Sequence, residues 1–404
     1  MAALSAAAVV LLPGAPASAA PPPPGVCDTP AAPGSVITDL PWPQRLFDAP
    51  RIWPVTTGAG ITVAVLDSGV DGTHPQLAAQ VWPGFDFVRN VAGADFDCTS
   101  HGTATASLIA AKHADGVPFE GLAPGAKILP LRVNDSPDVL AQAIRYAADQ
   151  NAKIINVSIA IDKDTPALAQ AVDYAITTKG CLVVATVGTR HTTADASLPP
   201  IGSNRNPVPN DPPSYPASYD NVLGVAAVDE HQDRLPESPV GNYVDLSAPG
   251  DRLVTATRAS GHQYAKDPTL APAYVSATAA LLWSSQPYLK NSDVSWRLRI
   301  TSDRIAGGSR SNEFGYGMVD PYRAVTEAPP RDDPGSGQPI PPAAAPAAAP
   351  HRSATARTAA WIGLAVLLAT GLLFAARAAY RLGRARGWRP AEPSPPPSPA
   401  ERPF

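Results

Sequence analysis

Short apolar runs alternating with helical stretches set the rhythm of the chain up to about residue 230. Positions 61–66 (ITVAVL) are apolar and β-branched without a polar break, and the run ends on Asp67-Ser68-Gly69. A strand covered on both faces carries this signature, and here it delivers a carboxylate to its C-terminal end. Similar runs stand at 127–133, 153–158, 182–187 and 222–228, between helical stretches at 103–112, 136–150 and 166–178. Ser136 followed by Pro137 supplies an N-cap and a first helical residue of the preferred types. This alternation predicts an α/β fold, a three-layer domain with a mostly parallel sheet, whose ligands bind at the carboxyl ends of the strands. Further on, 271–284 is too apolar for a surface helix and is expected in the core.

The pattern changes at both ends. Positions 359–376 (AAWIGLAVLLATGLLFAA) form one uncharged apolar run, about the minimum length that crosses a hydrocarbon core as a helix. Arg377, Arg381, Arg384, Arg386 and Arg389 follow it closely, against only Arg352 and Arg357 just before it. Positive residues are retained in the cytoplasm, so the expected arrangement is a single-pass protein of the cell membrane, with tail 377–404 inside and the main domain outside. At the other end, 1–20 holds an apolar stretch and then Ala17-Ser18-Ala19, the pattern that precedes signal-peptide cleavage. No positive residue opens it, and the competing reading is an Ala/Pro-rich tail; export is the reading adopted. The 48 prolines, about twice the usual share, collect outside the periodic region. They mark 21–50 as an N-terminal extension and 327–358 as a Pro/Ala-rich linker, leaving 51–326 for the folded domain.

Charge narrows the functional classes. A net charge of -4, from 31 basic and 35 acidic residues, leaves no electrostatic footprint for nucleic acid, and no nucleic-acid partner is expected. The 3 cysteines fit an exported protein with one disulfide and one spare thiol. Pairing Cys27 with Cys98 would pin the extension to the loop before His101, while Cys181, within CLVVA, reads as an inert buried thiol. Without metal-ligand spacing, neither a metal centre nor another cofactor is expected.

Three islands carry the chemistry: DSGVDGTHP from Asp67, HGTATASLIAA from His101, and the segment leading into the helix at Ala271. A buried carboxylate that fixes an imidazole, and an imidazole that accepts a nucleophile's proton, are two parts of a hydrolytic triad. With GLAPGAKILPLRV (121–133), VDLSAPG (244–250), YVSATAALL (274–282) and GYGMVDPYRAV (315–325), residues 45 to 325 resemble the subtilisin-like S8 serine endopeptidases. The nearest resemblance within them is to the mycosins, membrane-anchored proteases of type VII secretion systems. They too combine a signal peptide, a cysteine-pinned extension, a Pro-rich linker and one membrane helix.

The departures matter equally. Where the family has Gly-Thr-Ser before its A-A-P-Y-V-S helix, a gapless alignment puts Asp267, Pro268 and Thr269, so the nucleophile position is Thr269. A shifted register would offer Ser260 or Ser276, but Ser276 falls well inside the helix and Ser260 lacks a helix start behind it. The oxyanion Asn of the family reads here as Thr189. Together these imply a pseudoprotease acting structurally with the subunits of a type VII secretion membrane complex. The alternative is an active serine-type endopeptidase that processes secreted substrates. A third reading is capture of a peptide along an edge at 156–159. Asp71, His74 and Asp97 read as polar loop residues, and Trp53, Trp82 and Trp283 as core.

Overall fold

The computed structural model describes residue 27 and residues 32–190, 210–304, 310–329, 375–385 and 387. The signal peptide at 1–20, the linker beyond 329 and positions 359–374 of the apolar run lie outside the described residues, among which no helix is long and apolar enough to cross a membrane. The chain divides into two compact units, Met1–Gln338 and Pro339–Phe404.

In the first unit, eight strands form one sheet in the order β3-β2-β4-β1-β5-β6-β7-β8. They are β1 (Thr62–Asp67), β2 (Phe85–Asp86), β3 (Val91–Ala92), β4 (Lys127–Arg132), β5 (Ile154–Val157), β6 (Leu182–Thr186), β7 (Leu223–Val228) and β8 (Leu246–Pro249). Every pairing is parallel except β2 with β3. Side chains alternate between two cores: Val63 and Val65 of β1 enter one, Ala64 and Leu66 the other. Burial on both faces is the physical reason the central strands are largely apolar, whereas the edge strand β3 is exposed.

Helices cover both faces. The first core takes residues from α1 (Trp42–Phe47), α2 (His101–Ala110), α5 (Pro272–Ser285), α6 (Asn291–Ile300) and α7 (Pro321–Thr326), and the second from α3 (Pro137–Asp149) and α4 (Pro166–Asp173). In α5 every residue from Pro272 to Trp283 is buried, in line with its uniformly apolar sequence. The stretch read as one helix over 166–178 is α4 followed by a π-helical turn, Tyr174–Thr178. A hairpin, β9 (Leu253–Ala256) with β10 (His262–Ala265), lies outside the main sheet. Its second strand, His-Gln-Tyr-Ala, has no apolar run to announce it.

Two expectations need correction. Asn156 and Val157 are no edge, since β5 is hydrogen-bonded between β1 and β6 and buried at every position; Ser158 and Ile159 lie past the end of that strand, with Ile159 half-buried. Trp82 is 42% exposed and outside the core, whereas Trp283 is buried and Trp53 half-buried. Asp71, His74 and Asp97 stand in loops as expected; these loops turn inward against α2 and the hairpin, so the three side chains are buried and engaged with backbone or hydroxyl groups.

The extension is tied down at several points. Cys27 and Cys98 form a disulfide across 71 residues of sequence. Ser35 makes an antiparallel bridge to His262, and Phe47 of α1 packs on Tyr274 at 5.4 Å between ring centroids. Cys181 is buried and unpaired, with its thiol pushed up to about 11 chiefly by burial, so little thiolate exists near neutral pH.

Candidate active site

The site forms where β1 ends against the start of α2. A side chain at Gly102 would bring its Cβ within 1.9 Å of the Gly69 carbonyl oxygen, so only glycine lets the helix approach the strand end this closely. Ser100 precedes α2 with φ 72°, turning the chain so that His101 opens the helix.

Asp97 holds this loop. Its Oδ1 accepts from the Ser68 hydroxyl at 2.9 Å and from the backbone N–H groups of Thr99 and Ser100 at 2.9 and 3.0 Å. Its Oδ2 accepts from the N–H and hydroxyl of Thr103 at 2.9 and 2.7 Å. Ser68 in turn accepts from the Gly102 N–H. Asp97→Ala strips the acceptor from buried donors on both sides of His101. It is expected to lower stability by on the order of 3 kcal/mol, read as a fall in Tm; an unchanged Tm would show that the loop holds its shape without the carboxylate.

Asp67, His101 and Thr269 come together. His101 Nδ1 lies 2.7 Å from Asp67 Oδ1, and Nε2 lies 2.9 Å from the Thr269 hydroxyl oxygen. Asp67 also accepts from the Ser68 N–H and the Thr105 hydroxyl. Thr269 sits in a single 3-10 turn, Pro268–Leu270, leading into α5. Ser276 is fully buried and hydrogen-bonds Asn156 at 2.9 Å. Ser260 is in the β9–β10 turn, where its carbonyl accepts from Gly34 N–H and Thr257. The hydroxyl that meets the imidazole is therefore that of Thr269. Thr189 is exposed one residue past Gly188, beyond the end of β6. Among the described residues, no group of three or more His, Cys, Asp or Glu is placed to hold a metal ion.

Asp267, where the family resemblance calls for a glycine, also reaches the site. Asp267 caps the 3-10 turn, and its carboxylate contacts both Thr269 and His101. The available signal was Asp-Pro-Thr itself, an N-cap spacing in which a carboxylate folds back on the residue two positions on. Burial works against the charge of all three ionisable groups, but their mutual attraction outweighs it. Contact with His101 holds Asp67 and Asp267 below the usual carboxylate range, and the two carboxylates hold the imidazole well above its ordinary value. The ring thus lies between two carboxylates that favour its protonated form.

The profile of the Subtilase family matches residues 58–317. The chain is 35% identical over 283 residues to a thermophilic serine proteinase of Bacillus sp. strain AK1, covering 68% of this chain and 64% of that protein. It is 30% identical over 405 residues to Mycosin-1 of Mycobacterium tuberculosis, covering 86% of this chain and 88% of that one. Among solved structures it is similar to MycP1 with the N-terminal propeptide removed, with a TM-score of 0.64 at 30% identity, covering 72% of this chain and 100% of the other. The periplasmic assembly from the ESX-5 inner membrane complex contains a chain that matches with a TM-score of 0.62 at 28% identity, covering 80% and 98%.

Proposed function

The chain belongs to the Subtilase family, and on that premise we propose that it is a mycosin-like homologue of a type VII secretion membrane complex whose peptidase turnover is impaired. The observation that carries the impairment is the threonine hydroxyl on His101, 2.9 Å from Nε2, where the family resemblance calls for a serine. Its extra methyl restricts χ1 and crowds the approach of a scissile carbonyl. Thr189, at the position of the oxyanion Asn, is too short to reach as far. The similarity to a chain within the ESX-5 periplasmic assembly supports a structural role among complex subunits. In the same reading, residues 1–20 direct export and 359–376 anchor the protein in the cell membrane. The linker 327–358 then holds the peptidase domain on the extracytoplasmic side.

The test is labelling of the purified full chain with a fluorophosphonate probe beside an active subtilisin. The expected result is no labelling. Labelling that maps to Thr269 and disappears in His101→Ala would overturn the impairment, and labelling at Ser260 would overturn the assignment of Thr269. A second reading, an active endopeptidase acting on secreted substrates, is favoured by one observation: the contact of 2.7 Å between Asp67 and His101 that a triad uses is intact.

A further inference from the structure

Asp267 has no part in a hydrolytic triad, yet its carboxylate meets each of the reacting groups. Oδ1 accepts from the Thr269 backbone N–H at 2.9 Å and from the Thr269 hydroxyl at 2.7 Å, and Oδ2 lies 3.4 Å from His101 Nε2. A hydroxyl has one proton to donate. With that proton directed to Asp267, the Thr269 oxygen can only accept from Nε2, while Nδ1 donates to Asp67. Both ring nitrogens are then donors, which describes the imidazolium and leaves no base for the nucleophile's proton. The backbone N–H of the nucleophile is also a donor that acyl-transfer sites aim at a developing oxyanion. Here a carboxylate oxygen already occupies it.

We propose that Asp267 is an internal inhibitor of this site: its carboxylate takes the place of a substrate oxyanion on the Thr269 N–H and keeps the Thr269 hydroxyl and the His101 ring from general-base chemistry. The proposal rests on the impaired reading above and deepens it, because it implies that a serine at 269 would be silenced as well. Among the described residues, the charged groups facing the ring are Asp67 at the end of β1 and Asp267 at the turn before α5. The nearby hydroxyls of Thr105 on α2 and Ser158 after β5 are neutral and engaged with Asp67, Asn156 and each other. The raised ionisation of His101, set by these two carboxylates against the opposing effect of burial, agrees with the hydrogen-bond directions.

Two measurements on the full chain test it. The first is the NMR titration of the His101 ring in the wild type and in Asp267→Asn, which keeps the capping oxygen and removes the charge. The midpoint is expected to fall on the order of one pH unit in the variant; an unchanged midpoint would overturn the proposal, since the Asp267 charge would then not act on the ring. The second compares fluorophosphonate labelling of Thr269→Ser with that of Asp267→Gly/Thr269→Ser and Asp267→Asn/Thr269→Ser. The single variant is expected to stay at background, and labelling to rise at least about tenfold in a double variant. Equal labelling of single and double variants would overturn the inhibitor while leaving the impairment by Thr269 intact. Labelling of the wild type would overturn that impairment instead.

Discussion

Replacing Asp267, Pro268 and Thr269 by Gly, Thr and Ser, together with Thr189→Asn, is expected to turn the chain from background to measurable peptide hydrolysis, at least about 10³-fold above wild type in kcat/KM. The size follows from two terms. An oxyanion donor is worth about 10²–10³ in turnover, a figure established on subtilisin itself. A lost nucleophile costs more, because the remaining groups of a triad do not act without it. For the same reason the gains are not additive. Thr189→Asn alone is expected to do nothing measurable, since a donor for the oxyanion has no use before an oxyanion forms. The Asp67–His101 pair is already placed at 2.7 Å, so no rearrangement beyond the turn before α5 is required. His101→Ala in the restored background must return hydrolysis of a chromogenic peptide to background. A restored variant with native circular dichroism and no turnover would mean that a further element, outside these four positions, is also lost.

Cys27→Ser/Cys98→Ser is expected to lower stability by about 4 kcal/mol, the loop-closure entropy of a cross-link spanning 71 residues. For a chain of this size that corresponds to a fall in Tm of roughly 10 °C. Dithiothreitol should shift the wild type by the same amount and the variant not at all. A shift of under about 2 °C would place the constraint elsewhere, in the Ser35–His262 bridge and the packing of Phe47 on Tyr274. Cys98 lies between Asp97, which holds the loop, and His101, which opens α2. The loss should therefore also appear as faster hydrogen exchange in the loop that carries the imidazole.

The sheet was legible because its central strands are buried on both faces, which leaves predominantly apolar runs at β1, β4, β5, β6 and β7. A run covered on both sides states that it is buried but not which strands cover it, and β1 and β6 flank Asn156 and Val157. Strands β2 and β3, of two residues each, and the polar β10 leave no periodic trace. Asp67 and His101 were legible through short motifs, and Thr269 only by counting back from Tyr274-Val275-Ser276, because the Gly-Thr-Ser that would mark it is replaced by Asp-Pro-Thr. Asp267 was not, because Asp before Pro-Thr reads as an ordinary helix cap wherever it occurs. Only the packing of α5 against α2, β5 and β6 brings that cap to the imidazole. Trp82 shows the limit of residue type as a guide to burial, since a large apolar ring can also stand at the surface.

The contact between Gly102 and the Gly69 carbonyl separates two kinds of inheritance in this molecule. The shape of the cleft is written in backbone approach and in an acidic clamp on a loop, neither of which takes part in bond breaking. Reactivity is written in side chains that project from that frame. A substitution at exposed Thr189 leaves that frame alone and one at Asp267 removes only a turn cap, whereas any side chain at 102 collides with backbone. The cleft's frame and its reactivity therefore rest on different residues, so a change to one need not disturb the other.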